Sequence, residues 1–76
     1  MLNFKDEKER QTWLVLHAEY FTVIEARLRD RQRHEVKTLL EAEDLAHELC
    51  LEQRGSRWMI YAVKWPHETF VKVVAA

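Results

Sequence analysis

Residues 38–54, TLLEAEDLAHELCLEQR, constrain the fold more than any other stretch of the chain. Thr38 followed three residues later by Glu41 is a capping box, in which the hydroxyl accepts from an orphan backbone N–H and the carboxylate reaches back to the cap. Leu39, Ala42, Leu45, Ala46, Leu49 and Cys50 recur at three- and four-residue steps and form one apolar stripe. Arg54 falls in the last turn, and Gly55, the chain's one glycine, supplies a left-handed stop. A helix with a single apolar stripe holds only where the rest of the chain covers that stripe.

There is little chain to do the covering. Seventy-six residues make one domain, residues 1–76. A chain this short buries only about 60% of its unfolded surface, so its core is thin and association is an easy way to extend it. The balance of 47% hydrophobic and 33% charged residues is that of a folded protein and not of a disordered tail. A net charge of −1 excludes a uniformly basic nucleic-acid binder, although an average hides local asymmetry. The single cysteine cannot form an internal disulfide, which suits a reducing compartment. No apolar run approaches the ~20 residues of a membrane span. The first ten residues alternate acid and base, without the apolar segment of a signal peptide. The expected location is cytoplasmic.

Asn3 is a candidate N-cap, with Asp6 and Glu7 in the first turn, where the helix dipole favours carboxylates. Residues 4–17 lack Gly and Pro and read as a first helix, solvated until Trp13, Leu14 and Leu16. Residues 20–28, YFTVIEARL, are rich in β-branched and aromatic side chains and read as a strand. Trp13, His17, Tyr20, Ile24 and Leu28 also fit a helical stripe, so a long N-terminal helix in an ααββ order is the alternative. Residues 29–35, RDRQRHE, are all polar and read as a hairpin loop, with 36–38 as a short returning strand. Residues 57–63, RWMIYAV, are the strongest strand in the chain. Pro66 belongs in a loop, where its missing N–H costs no ladder bond. Residues 69–74 close a second hairpin, with Lys72 marking a solvent face or an edge.

An internal echo supports two similar halves. Val23-Ile-Glu-Ala-Arg27 aligns with Met59-Ile-Tyr-Ala-Val63, and the His34-Glu-Val-Lys37 segment resembles His67-Glu-Thr-Phe-Val-Lys72 after a short gap. Two helix–hairpin units imply an α+β domain of αββαββ order: a four-stranded antiparallel sheet with two helices on one face.

Candidate chemistry is sparse. Glu43, His47 and Cys50 share a helix face at steps of four and three, and carboxylate, imidazole and thiolate all bind divalent metals. A complete site needs a further ligand such as His34 or His67. The simpler reading makes Cys50 a small buried hydrophobe continuing the Leu45/Leu49 stripe. As nucleophile and base, Cys50 and His47 lack an oxyanion hole, because Gly55 serves the helix end. No phosphate loop, nucleophile elbow or His-Glu-x-x-His is present. The carboxylates at 41, 43, 44, 48 and 52 read as a solvated helix face. The sequence therefore predicts no enzyme, no catalytic residue, no metal and no cofactor.

Two features point to a partner instead. Arg27, Arg29, Arg31, Arg33 and Lys37 supply five of the twelve cationic residues within eleven positions. On a hairpin, alternate arginines form a positive prong, and a guanidinium suits phosphate and carboxylate equally. Trp58, Tyr61, Trp65 and Phe70 crowd the second hairpin. Alternation sends Trp58 and Ile60 to one face and Tyr61, Val63 and Trp65 to the other, joined there by Val71 or Phe21 according to register. An exposed aromatic–aliphatic sheet face usually marks an interface.

The function expected on these grounds is that of a small binding protein engaging a protein partner, or a second copy of itself, through Arg27, Arg29, Arg31, Arg33, Tyr61 and Trp65. The acidic 41–52 helix adds a surface for a basic partner. The specific version of such a role is inhibition of a host enzyme or defence complex, of the kind phages and mobile elements carry. The alternative is a nucleic-acid-binding module using the 27–37 hairpin for phosphates and the sheet aromatics for bases. Neither reading involves a membrane or a small-molecule substrate.

Overall fold

The computed structural model describes residues 4–27 and 33–75. The element order is α1 (Glu7–His17), β1 (Tyr20–Glu25), β2 (Arg33–Val36), α2 (Leu39–Glu52), β3 (Arg57–Lys64) and β4 (His67–Ala75). The four strands form one antiparallel sheet in the order β2-β1-β3-β4. This is the expected α+β domain of αββαββ order. Residues 20–25 are a strand and not the continuation of a long helix, because β1 is central and finds a ladder on each side. Phe21 to Ile24 pair with Val36 to Arg33, and Tyr20 to Glu25 pair with Val63 to Trp58. Since β1 runs against both neighbours, β2 and β3 are parallel to each other, and α2 is the crossover that carries the chain over β1.

Thr38 caps α2 as expected, its hydroxyl accepting from the Glu41 N–H at 3.1 Å. The Glu41 carboxylate accepts in turn from the Thr38 hydroxyl at 3.1 Å and not from the cap N–H of a full capping box. The small side chains of the stripe, Ala42, Ala46 and Cys50, are fully buried, while Leu39, Leu45 and Leu49 flank them half-buried. Small residues four apart let the helix axis approach the sheet closely, and the volume is filled from below by Val23, Trp58 and Ile60, all without exposed surface. The Cys50 thiol donates to the Val74 carbonyl at 3.3 Å. The Trp58 indole N–H donates to the Ser56 hydroxyl at 3.0 Å, and Ser56 donates to the Gln53 carbonyl at 2.6 Å. Val15 and Ala18 of α1 pack against the same core cluster, so both helices lie on one face of the sheet.

Several boundaries differ from the sequence expectation. The cap of α1 is Asp6, whose carboxylate accepts from the Glu9 N–H at 2.8 Å, and Asn3 lies outside the described residues. Leu16, expected to join the first apolar face, is 75% exposed, whereas Leu14 is buried and Val15 and Ala18 pack against the sheet core. β1 stops at Glu25, earlier than 28. The returning strand is Arg33–Val36 and not 36–38, because Thr38 is taken by the helix cap; residues 33–35, expected in the loop, are paired. α2 ends at Glu52, leaving Arg54 beyond the last turn. Gly55, at φ 83°, serves the following turn, closed by the Ser56 N–H on the Gln53 carbonyl at 3.1 Å.

The echo also slips. Val23 sits directly opposite Ile60 on the helix-covered face, whereas Met59, its aligned counterpart, points to the other side. The two halves share a topology but not the residue-for-residue alignment.

Candidate functional site

One side of the sheet carries the helices; neither helix covers the other. Alternation assigns to this open face Tyr20, Thr22 and Ile24 of β1, Arg33 and Glu35 of β2, and Met59, Tyr61 and Val63 of β3. On β4 a bulge decides the matter. Ile60 faces Lys72 and Tyr61 faces Phe70, so Val71 is the extra residue. Phe70 and Val73 therefore share the open face, 42% and 48% exposed. Lys72 turns to the helix side, where its ammonium lies 3.4 Å from the Glu43 carboxylate of α2.

The expected aromatic face is thus present with altered membership. Tyr61 is half-buried and meets the Phe70 ring edge-on at 5.8 Å between centroids. Trp65, at the β3–β4 turn, is 77% exposed, and its backbone N–H is held by the Glu19 carboxylate at 2.9 Å. Val63, expected to be exposed, is buried. Phe21 belongs to the core beneath the helices, and Val71 packs against that core from the bulge. The sequence suggested Val71 or Phe21 as the additional members; Phe70 and Val73 take that place, because the extra residue shifts the alternation along β4.

The open face is concave. Arg33 on one edge strand and Glu68 on the other come within 3.6 Å, although two strands separate them. Sheet coiling of that degree draws opposite corners together over the face. Thr22, on the central strand β1, has no exposed surface, and its hydroxyl finds no partner among the described residues. At the Trp65 end lies a pocket of about 370 Å³. Tyr20 and Val63 line it together with Trp65, Pro66 and the charged residues Arg33, Glu35 and Glu68.

The arginine prong divides. Arg29 and Arg31 lie outside the described residues. Arg27 is exposed and turns back on its own strand: its backbone N–H donates to the Glu25 carboxylate at 2.7 Å, with its guanidinium 3.7 Å away. Arg33 crosses to Glu68. The two described arginines are therefore engaged with different carboxylates and do not make one positive projection. The possible metal ligands are not gathered either. Cys50 points inward at the Val74 carbonyl, Glu43 meets Lys72 and His47 is exposed. His34 stands 6.0 Å from the Trp58 ring. Among the described residues no group of three or more His, Cys, Asp or Glu side chains is placed to hold a metal ion. No described helix is long and apolar enough to cross a membrane.

Sequence reasoning missed Tyr20, Glu35, Glu68 and Val73 as members of this surface. Strand parity could have supplied Tyr20; Glu35 and Glu68 lay in segments read as loop, and Val73 depended on the bulge. Comparison of the chain with protein-family models, with curated proteins and with solved structures finds no match.

Proposed function

We propose that this is a non-enzymatic binding protein that acts by laying the open face of its sheet against a protein partner. The observation carrying this reading is the cluster of Tyr61, Phe70 and Val73 on that face, with Trp65 projecting 77% exposed beside it. These side chains stand on paired strands or on a turn pinned by Glu19, so little conformational entropy is lost when they are covered. Exposed aromatic anchors with charged groups beside them are the usual anatomy of an energetically productive interface. The carboxylates of Glu35 and Glu68 beside those aromatics would repel a phosphate backbone, which favours a protein partner over nucleic acid. The reading takes no catalytic step, since Cys50 is buried against a carbonyl and His47 stands in solvent.

The test is affinity capture from the cells that produce the protein, with the wild type beside Val73→Lys. Val73 is half-exposed, so this change leaves the circular dichroism spectrum and melting temperature nearly unaltered. A protein retained in stoichiometric amount by the wild type and lost by the variant supports the reading. Identical retention by both removes the open face from it.

A further inference from the structure

Resting on that reading, we infer that the pocket at the Trp65 end of the open face is a receptor for a guanidinium: it takes an arginine side chain presented by an extended segment of the partner protein. The lining selects for this chemistry. Tyr20 and Trp65 offer aromatic rings and Glu35 and Glu68 offer carboxylates, within a volume of about 370 Å³. A planar cation that stacks on an aromatic face while its N–H fork meets a carboxylate uses both kinds of group at once. An anion would face two carboxylates against the single guanidinium of Arg33, and an apolar group would strip these charges of water without replacing it.

The chain itself supplies the second observation. A guanidinium already reaches this pocket, that of Arg33, with Nη2 at 3.6 Å from the Glu68 carboxylate. Its seat is loose. A well-formed charge-assisted N–H···O contact is nearer ~2.8 Å, and here both side chains remain about half exposed, at 54% and 52%. Exposed pairs of this kind hold weakly. Arg33 is thus a resident competitor that marks what the pocket accepts and gives way to a better-placed arginine. Glu35 makes no ion pair with any described residue and is the carboxylate open to the newcomer. The walls are held in advance: Glu19 accepts from the Trp65 N–H at 2.9 Å, and Arg10 donates to the Glu68 carbonyl at 3.0 Å.

The competitor role gives a sign that a simple contact role does not. The full chain is titrated with N-acetyl-arginine-N-methylamide and, separately, with its neutral isostere N-acetyl-citrulline-N-methylamide, following the Trp65 indole N–H by NMR, assigned with Trp65→Phe. The arginine probe shifts that signal saturably and binds at least about fivefold more tightly than the citrulline probe. Glu35→Gln weakens the arginine probe severalfold, and Arg33→Gln tightens it. Equal binding of both probes, weaker binding to Arg33→Gln, or no saturable shift with Arg33→Gln overturns the inference. So does a concentration-dependent dimer in sedimentation that Val73→Lys abolishes, because the occupant is then a second copy. Partner capture that depends on Val73 while the probe fails leaves the interface standing and removes only the arginine from it.

Discussion

On the proposed reading, two tryptophans seven positions apart separate folding from binding. Trp58 has no exposed surface, whereas Trp65 is 77% exposed. An indole buries roughly 200 Å² of side chain, which at about 25 cal/mol per Å² amounts to ~5 kcal/mol. Truncating such a ring to alanine in a core usually costs about 3–5 kcal/mol. A chain of 76 residues has a total stability of only about 4–11 kcal/mol, so Trp58→Ala removes most or all of it. Trp58→Phe is the informative substitution. It keeps a ring over Val23 and Ile60 but deletes the N–H that reaches Ser56 at 3.0 Å, and it leaves part of the indole volume empty. Together these cost about 2 kcal/mol and lower the melting temperature by about 8–16 °C in a domain of this size. Trp65→Ala, by contrast, stays within about 0.5 kcal/mol of the wild type. Urea titrations followed by far-ultraviolet circular dichroism give both numbers, and the partner capture described above gives the second readout. The expected pattern is an unstable but binding-competent Trp58→Phe and a stable but binding-impaired Trp65→Ala. A Trp65→Ala as destabilised as Trp58→Phe refutes the division, for it would mean that the turn tryptophan is a core residue.

Three further substitutions probe local features. Thr38→Ala removes the cap oxygen 3.1 Å from the Glu41 N–H and should cost about 1 kcal/mol by urea denaturation, with Thr38→Asp recovering most of it. Gly55→Ala meets no atom within 4 Å but must adopt φ 83°; it should cost about 1 kcal/mol by the same measurement, with Gly55→Asn losing less. Lys72→Val breaks an exposed ion pair of little worth, so the melting temperature stays within a few degrees, but light scattering should rise with concentration because an inward charge on an edge strand is gone.

The sequence was legible where structure is decided locally. The stripe of Ala42, Ala46 and Cys50 and the cap at Thr38 depend on residues within a turn or two of each other, and α2 lies where they place it. Tyr20–Glu25 was ambiguous by period alone and is settled by tertiary pairing, since a central position offers a ladder on both sides. Residues 33–35 were misread as loop because their charges concealed the alternation of β2. His34 and Val36 are half-buried while Arg33 and Glu35 are exposed, the burial pattern of an edge strand. The open face was predicted as a kind of surface with Tyr61 and Trp65 in it, but the rest of its membership was not. A one-residue bulge reverses side-chain parity along β4, and Thr22 and Val63 are buried on a side that alternation alone calls solvent-exposed. The reach of Arg33 to Glu68 depends on that same coiling, and no spacing in the chain encodes it.

What remains is why a partner would meet the face and not an edge, given that a sheet of four strands has two edges with unpaired backbone groups. β2 offers four residues, too few for a stable added strand. β4 is nine residues long but is interrupted three times. Its bulge at Val71 breaks the regular spacing of donors and acceptors, Lys72 points inward and is tied to Glu43, and the Glu68 carbonyl is taken by Arg10 of α1. Each is a known device against strand addition, and together they leave no uninterrupted run along the longer edge. Among the described residues no such device interrupts the open face, where Tyr61 of β3 and Phe70 and Val73 of β4 form an apolar cluster on the β4 side. Among the described residues one edge is short and the other interrupted, while neither helix covers the open face, and on the proposed reading this makes the face and not an edge the contact surface.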